Sequence, residues 1–488
     1  MVSPQRIRQV NAATWRADGR YVLYWMVAHR RLRSNLALEH AAALAVQAGL
    51  PLVIFEPLRV DYRWASDRLH RFVIDGMADH AREMAGRPAT YIPHVETRRG
   101  EGRLLFDALA ASAASIVTDD YPAFFLPEMI ARAAERLPVP LLAVDSNGLL
   151  PMRAAPQPFT TAFAFRAAMQ RTFREHMAAW PADIPWTQLP PPVPLALPRE
   201  TPPATSPTDL EQPDALISAL PIDHSVPAAP LRGGPRAART TLDRFVESRL
   251  SRYLEDGNHP DLQATSGLSP YLHFGHVSAH DVFEAVMTAE RWTSRQLAAS
   301  GGGKRQGWWG VSPSAEAFLD QLVTWRGLGF STAAVSTTPI DTLDALPPWA
   351  RRTLDAHQAD PRPFLYAHDA FERAATHDPV WNAAQREMLR TGTMHNYLRM
   401  LWGKKILEWS PSAAEALDTM IALMDRHALD GRDPNSYTGY TWTLGRYDRP
   451  WAPERPIFGS VRYMSSDNTV RKLKIKRYLA AHGDTALF

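Results

Sequence analysis

The chain of 488 residues has no cysteine. That excludes disulfides, iron–sulfur clusters held by protein thiolates and cysteine nucleophiles, and it suits a cytoplasmic protein. Long hydrophobic runs are also missing. No stretch approaches the ~18 apolar residues of a membrane helix, so no transmembrane helix is expected. The opening stretch "MVSPQRIRQVNAATWRADGR" lacks the apolar core of a signal peptide. A surplus of charge is missing too: 54 Lys and Arg stand against 51 Asp and Glu, a formal net charge of +3. The total does not demand a polyanionic partner and leaves that role to local basic patches. Short catalytic signatures are absent: there is no Walker loop, no GxGxxG and no GxSxG. "HRR" and "HALDGRD" do not place metal ligands on one face, so no metal site is expected. "GGGK" at 301–304 lacks the rest of a phosphate loop and reads as a flexible turn.

What is present is globular: 45% of residues are hydrophobic and 22% charged. The length suggests roughly two to four domains of ~100–250 residues. Fifteen tryptophans point either to a large aromatic core or to a flavin or nucleobase site. Short apolar runs at 21–28, 51–58, 89–96, 115–120 and 140–146 read as buried parallel strands. Helical stretches fall between them. One is "NLALEHAAALAVQAG", ending at Gly49; others are Leu69–Gly86 and Gly102–Ser112. Alternating strand and helix predicts an α/β doubly wound parallel sheet over residues 1–180. Between Pro181 and Pro235 lie 15 of the 41 prolines, so 181–239 reads as an extended linker. From 240 to 488 apolar residues recur at i, i+3, i+4 spacing, which predicts an all-α domain. No short internal repeat is visible.

Three stretches carry candidate chemistry. "TSGLSPYLHFGHVS" (265–278) sets Thr265, Ser266 and Ser269 before a helical pattern, as a plain N-cap or as an anion cradle of backbone N–H groups. "LDGRDPNSYTGYTW" (429–442) offers Asp430, Asp433 and Asn435 beside a Tyr/Trp cluster, as a site or as a surface turn. "MHNYLRMLWGKKILEW" (394–409) places Trp402 and Trp409 two helical turns apart, ~10.5 Å along the axis. Such a pair serves core packing or electron hopping.

Together these stretches resemble the photolyase/cryptochrome family, and within it the class II cyclobutane pyrimidine dimer (deoxyribodipyrimidine) photolyases. "THDPVWNAAQREMLRTGTMHNYLRMLWGKKILEW", "ALDGRDPNSYTGYTW" and "ERPIFGSVRYMSSDNTVRKLKIKRY" carry the likeness most strongly. "GLSPYLHFGHVS" and "LPPWARRTLDAH" extend it, so that it spans nearly the whole chain apart from the linker. The resemblance implies a monomeric lyase with FAD bound U-shaped in the helical domain, beneath a cavity that receives DNA containing pyrimidine dimers. Tyr253, Thr265, Ser266, Gly267, Leu268 and Ser269 are then the phosphate cradle. Arg326, Asn396, Arg399, Asp430, Asp433 and Asn435 join the cofactor site. Arg399 and Asp430 form an ion pair beside the flavin ring, and Asn435 lies near its N5, where an amide tunes the redox state. Trp381, Trp402 and Trp409 become an electron wire in that order, from the flavin to the surface. An antenna chromophore of deazaflavin or folate type is left open; the strand-end loops at 26–31 and 119–125 are its expected place.

The substrate pocket departs from the family pattern. The lesion-facing residues implied are Gln321, Trp325, Tyr397, Met400, Trp451 and Asp281. A glutamate is expected four residues before Trp325, but the chain has Gln321, which supplies hydrogen bonds and no acidic proton. Gly327 replaces the acid after Arg326. Asp281 stands where an arginine is expected to meet the lesion, and a carboxylate there opposes DNA. Asn396 replaces a glycine. Two readings follow: light-driven dimer repair, or a photolyase-fold flavoprotein without it, either a cryptochrome-like photoreceptor or a redox enzyme on another substrate. The basic tail with Lys472, Lys474, Lys476 and Arg477 suits DNA phosphates or simply water.

Overall fold

The computed structural model describes residues 2–483, and the chain divides into two compact units. The first contains the chain up to Ala155 together with Thr172–Leu242 and Leu268–Ala285. The second contains Pro156–Arg171, Asp243–Gly267 and the chain from Val286 onward.

Six strands make the sheet of the first unit: β1 (Ile7–Gln9), β2 (Tyr21–Trp25), β3 (Leu52–Leu58), β4 (Thr90–Val95), β5 (Ala113–Asp119) and β6 (Leu141–Val144). Their order is β1-β6-β5-β2-β3-β4. All neighbours are parallel except β1, which runs antiparallel to β6 with Ile7 opposite Val144. Every residue of β2, β3 and β5 is buried, which is why these strands read as unbroken apolar runs. The edge strand β1 has only three residues, none buried, and carried no such signal. The helix Leu36–Ala48 starts where the Asn35 side chain accepts from Ala37 N and Leu38 N. It stops at Gly49, at φ +63°.

Strand order reverses between β2 and β5, the switch point where open α/β sheets form a crevice. Here the crevice wall is tied together. Asp119 accepts from Tyr24 Oη (2.7 Å) and from the backbone N–H groups of Val27, Ala28 and His29 (2.8, 2.7 and 2.9 Å). Arg31 donates to Ser146 O (2.9 Å) and Gly275 O (3.1 Å). Gly275, at φ +75°, approaches so closely that a Cβ would lie 2.1 Å from Ala28 O.

The proline-rich stretch belongs to the first unit and is not wholly extended. Pro207–Leu210 and Pro213–Ser218 are short helices with proline in the first turn, where its missing N–H is harmless. Leu210, Ile217 and Leu220 pack with Val73, Ile74 and Met77 of the helix Asp67–Met84.

The second unit is helical. Its site-bearing elements are the π-helical turn Asp320–Trp325 and the α-helices Arg326–Val335, Pro379–Thr391, Asn396–Trp409, Ala413–His427 and Pro434–Thr443. The "GGGK" stretch is fastened, contrary to the flexible turn expected of it. Gln170 Oε1 accepts from Gly302 N (3.0 Å) and Gly303 N (2.8 Å), and its Nε2 donates to Lys304 O (2.8 Å). No helix among the described residues is long and apolar enough to cross a membrane.

Candidate functional site

The loop 428–433 places most of the polar site. It follows the helix Ala413–His427 and is fixed from behind. Asp425 accepts from Arg432 N (2.8 Å) and Tyr437 Oη (3.0 Å). The Arg432 guanidinium donates to the carbonyls of Ala428 (3.2 Å) and Leu429 (3.1 Å), just past the helix end. These bonds hold Arg432 in the left-handed region, at φ +63°. Asp430 then meets Arg399 Nη2 at 2.8 and 2.9 Å. Burial works against the Arg399 cation, but Asp430 more than offsets it and raises the guanidinium above its ordinary range. Asp433 caps the helix Pro434–Thr443 by accepting from Asn435 N (2.8 Å). The same oxygen accepts from Asn435 Nδ2 (2.8 Å) and so orients that amide. Arg326 Nη1 stands 3.6 Å from Asp433.

That helix is buried except along one stripe: Asn435, Gly439 and Trp442 are half-open at i, i+4, i+7. Its crossing with Arg326–Val335 is tight. A Cβ on Gly329 would come 2.6 Å from Asn435 Oδ1. Close approach brings Trp325 and Trp442 into a stack, ring centroids 4.6 Å apart and planes at 15°. The π-helical turn ends at Trp325 and leaves Gln321 and Trp325 half-open one turn apart. Such turns are rare and concentrate at functional sites. Asp320 anchors this one through Arg166 (2.9 Å) and Arg305 (3.2 Å). On Gly327 a Cβ would meet the Phe165 ring at 2.6 Å, so an acid there has no room without a rearrangement.

The three indoles cluster, in an order different from the expected one. Trp381 sits between the other two: 6.3 Å from Trp402 with planes at 6°, and 6.0 Å from Trp409 at 67°. Its Nε1 donates to Trp402 O (3.0 Å), and Trp402 Nε1 donates to Gln385 Oε1 (2.9 Å). The series is therefore Trp402, Trp381, Trp409. Trp402 is the end that shares a helix face with Arg399, three residues before it. All three rings are buried, Trp409 included at 2% exposure, so none of them is the surface indole expected at the outer end of the series.

No family model matches the chain. Curated proteins do. The chain is 34% identical over 484 residues to the deoxyribodipyrimidine photo-lyase of Methanothermobacter thermautotrophicus, covering 98% of each chain. It is 32% identical to the deoxyribodipyrimidine photo-lyase of rice, over 97% of this chain and 90% of that one. The chain belongs to the photolyase/cryptochrome family. A solved class III photolyase from Agrobacterium tumefaciens shares the family fold, with a TM-score of 0.65 at 18% identity over 96% of this chain and 87% of that one.

The remaining family positions divide. Tyr397 and Met400 are half-open one turn apart on Asn396–Trp409, and Asn396 is exposed at its first residue. Trp451, 38% exposed, is flanked by Arg449 and Arg462, each 5.2 Å from its ring. Tyr253 packs on Phe245 and Phe318; burial pushes its phenol up to about 12. Thr265 and Ser266 are half-buried and Gly267 is exposed, at φ +70°, all in the second unit. The chain passes to the first unit at Leu268 and Ser269. There the expected hydroxyl cap gives way to Leu268, an apolar residue, before a helix of only five residues. Asp281 is likewise committed to the first unit. Ser34 Oγ (2.6 Å) and Ser278 Oγ (2.7 Å) donate to its two oxygens, and its own N–H donates back to Ser278 Oγ (2.8 Å). That reciprocal cap of the helix Ala279–Ala289 gives both carboxylate oxygens a partner within the first unit. Trp442 is the site residue that the sequence reading missed. Its signal was the spacing from Asn435, which puts both on one helix face.

Proposed function

We propose that this chain is a photolyase-type lyase that uses FAD and light to split cyclobutane pyrimidine dimers in DNA. The relatives named above are called deoxyribodipyrimidine photo-lyases, and the site suits that chemistry. The observation that carries the reading is the Trp325–Trp442 stack, open to one side and continuous along its helix with Gly439 and Asn435. The residues present fit a flat cofactor. A Cβ on Gly439 would meet nothing within 4 Å, although most of that helix is buried, so a planar ring system has room against the backbone. Arg399, Asp430, Asp433 and Asn435 would hold it, and FAD supplies a light-absorbing one-electron donor there.

The chain's own groups then have distinct tasks. Arg399 keeps its charge because Asp430 holds it, and so steadies negative charge in the site. Asn435 Nδ2 is engaged by Asp433, which leaves Oδ1 to accept from a ring N–H. The two stacked indoles give a pyrimidine pair a flat apolar wall and exclude water. Gln321 donates an amide N–H to a pyrimidine carbonyl and moves no proton. The buried indoles return electrons from outside, and Lys472, Lys474, Lys476 and Arg477, all exposed, suit phosphates.

The test is a repair assay. Purified FAD-loaded protein, chemically reduced and illuminated with blue light, should remove dimers from a damaged duplex, and none in the dark. Tight binding of the damaged duplex with no dimer loss in the light sinks the reading. Gln321 in the acid's place favours a second reading, a family member that no longer repairs dimers. Gln321→Glu separates the two. It adds a pH dependence to existing repair under the first reading, and it creates repair where none existed under the second.

A further inference from the structure

The second unit ends in a short helix, Lys476–His482. From Lys474 to His482 only the side chains of Ile475 and Tyr478 are buried. Seven residues are too few for a helix to be stable alone in water, so its place depends on polar bonds to its neighbours. Asp261 accepts from Arg477 N (3.1 Å) and Tyr478 N (2.7 Å), and its own N–H donates to Lys474 O (3.0 Å). Lys474 N donates to His259 Nδ1 (3.0 Å). Tyr478 Oη donates to Glu387 Oε2 (2.7 Å), and Arg390 Nη2 donates to Ala481 O (2.6 Å). These partners lead to the cofactor site from two directions. The segment His259–Asp261 runs on through Gln263, at φ +48°, to Thr265 of the phosphate cradle. Glu387 Oε2 also accepts from His395 N (2.9 Å), and His395 O accepts from Arg399 N (3.1 Å) in the first turn of Asn396–Trp409.

We infer that the helix Lys476–His482 is a clasp on the cofactor site, with Tyr478 and Glu387 as its positioning residues. The clasp ties the segment that leads into the phosphate cradle to the helix that presents Arg399. This rests on reading Thr265–Gly267 and Arg399 as parts of the FAD site. One carboxylate oxygen takes both donors, so Glu387 fixes Tyr478 relative to His395. Without the phenol hydroxyl that oxygen keeps one of the two, and the helix is left to Asp261, His259 and Arg390. The segment 259–261 then loses its tie to Glu387, and the start of the Arg399 helix loosens. Bound FAD leaves faster. Linkage makes the coupling reciprocal: a clasp that retains FAD is itself steadied by FAD. Tyr478 and Glu387 act through the segments they hold.

The experiment uses the full chain, and its first arm needs no variant. Amide hydrogen exchange is read with and without FAD. Added FAD should slow exchange at Arg477, Tyr478 and 257–263 more than in the core strands of the first unit. The second arm uses Tyr478→Phe, which keeps the ring, and Glu387→Gln, which keeps the shape. Each should speed FAD release in the dark, followed as recovered flavin fluorescence, by about tenfold, the worth of one lost bond to a charged group. The double variant should fall well short of the product of the two effects, because both remove the same bond. The flavin reduction potential should fall in both single variants, as the Arg399 cation is held less firmly. Unchanged exchange at Arg477 and Tyr478 on FAD binding overturns the clasp, and so do wild-type release rates in both variants. A wild-type protein that takes up no FAD overturns the cofactor reading and the clasp with it. FAD uptake with no response in the tail overturns the clasp alone.

Discussion

Glu56 in the first unit and Lys404 in the second are both fully buried, and their surroundings are opposite. Glu56 is met from three sides: Arg30 Nη1 at 2.9 Å, His80 Nδ1 at 2.8 Å and Tyr91 Oη at 2.6 Å. Burial would push its carboxyl up, but His80, Arg30 and Tyr91 outweigh it and hold the group down to about 2. Lys404 donates to the carbonyl of Thr443 and has no ion pair among the described residues. Burial brings its ammonium down to about 7. In the first unit, then, buried charge is part of the framework, closed by partners on every side. Asp119 and Arg31 follow the same rule, and the half-buried Asp281 is tied to Ser34 and Ser278. In the second unit Asp425, Arg432 and Asp320 are closed in the same way, but Asn435 and Arg399 are anchored from behind, by Asp433 and Asp430, and stay half-open.

The sharpest way to break that contrast is to open the closed set. Glu56→Gln leaves Arg30 buried without its carboxylate, and losing one partner of a buried pair costs about 3–5 kcal/mol. Urea unfolding should show that loss at neutral pH, with the flavin spectrum of the remaining folded protein unchanged. The acid limb should change too. A carboxyl with a folded value near 2 and an ordinary value of 4.5 stabilises above pH 4.5, and this contribution is lost as pH falls toward 2. Wild type should show that step and Glu56→Gln should lack it.

Lys404→Met probes the other side. Its folded value near 7 lies below the ordinary 10.5, so between them the unfolded chain binds the extra proton. Stability therefore rises with pH across that window, and the burden of the charge is full below pH 7. Replacing the amine by a thioether should stabilise the protein at pH 6 by about 1–3 kcal/mol, as swaps of buried charges for apolar groups often do. The gain should shrink as pH approaches 10. Thermal unfolding over that range checks it. A uniform loss of stability would mean that the bond to Thr443, which closes the end of the Pro434–Thr443 helix, outweighs the buried charge.

Much of this is legible in the sequence, for physical reasons that differ by region. The parallel strands announce themselves because both of their faces are buried. β1 does not, because three edge residues carry no pattern. The three tryptophans were identifiable one by one, and the seven-residue spacing of Trp402 and Trp409 gave their separation along a helix. It said nothing of the neighbouring helix, which slides Trp381 between them. The fastening of "GGGK" was also hidden, since Gln170 lies more than a hundred residues earlier. Two further relations stand in the sequence itself. Ser278 and Asp281 stand at capping-box spacing, and Asn435 and Trp442 at the spacing of one helix face.

Asp281 gives the finest test of the contrast, because the competing roles predict opposite signs. As a cap, its loss removes bonds to Ser34 Oγ and Ser278 Oγ and frees one end of Ala279–Ala289. Asp281→Ala should then destabilise the protein by about 1 kcal/mol, the usual worth of a helix cap. Affinity for dimer-containing DNA should not change, since both oxygens already have partners within the first unit. If the carboxylate instead faced DNA, removing a negative charge would tighten binding and alter its salt dependence. Unfolding curves and salt-dependent binding of the same variant decide between them. A stability loss with flat affinity keeps Asp281 with the closed charges of the first unit; tighter binding moves it into the open set.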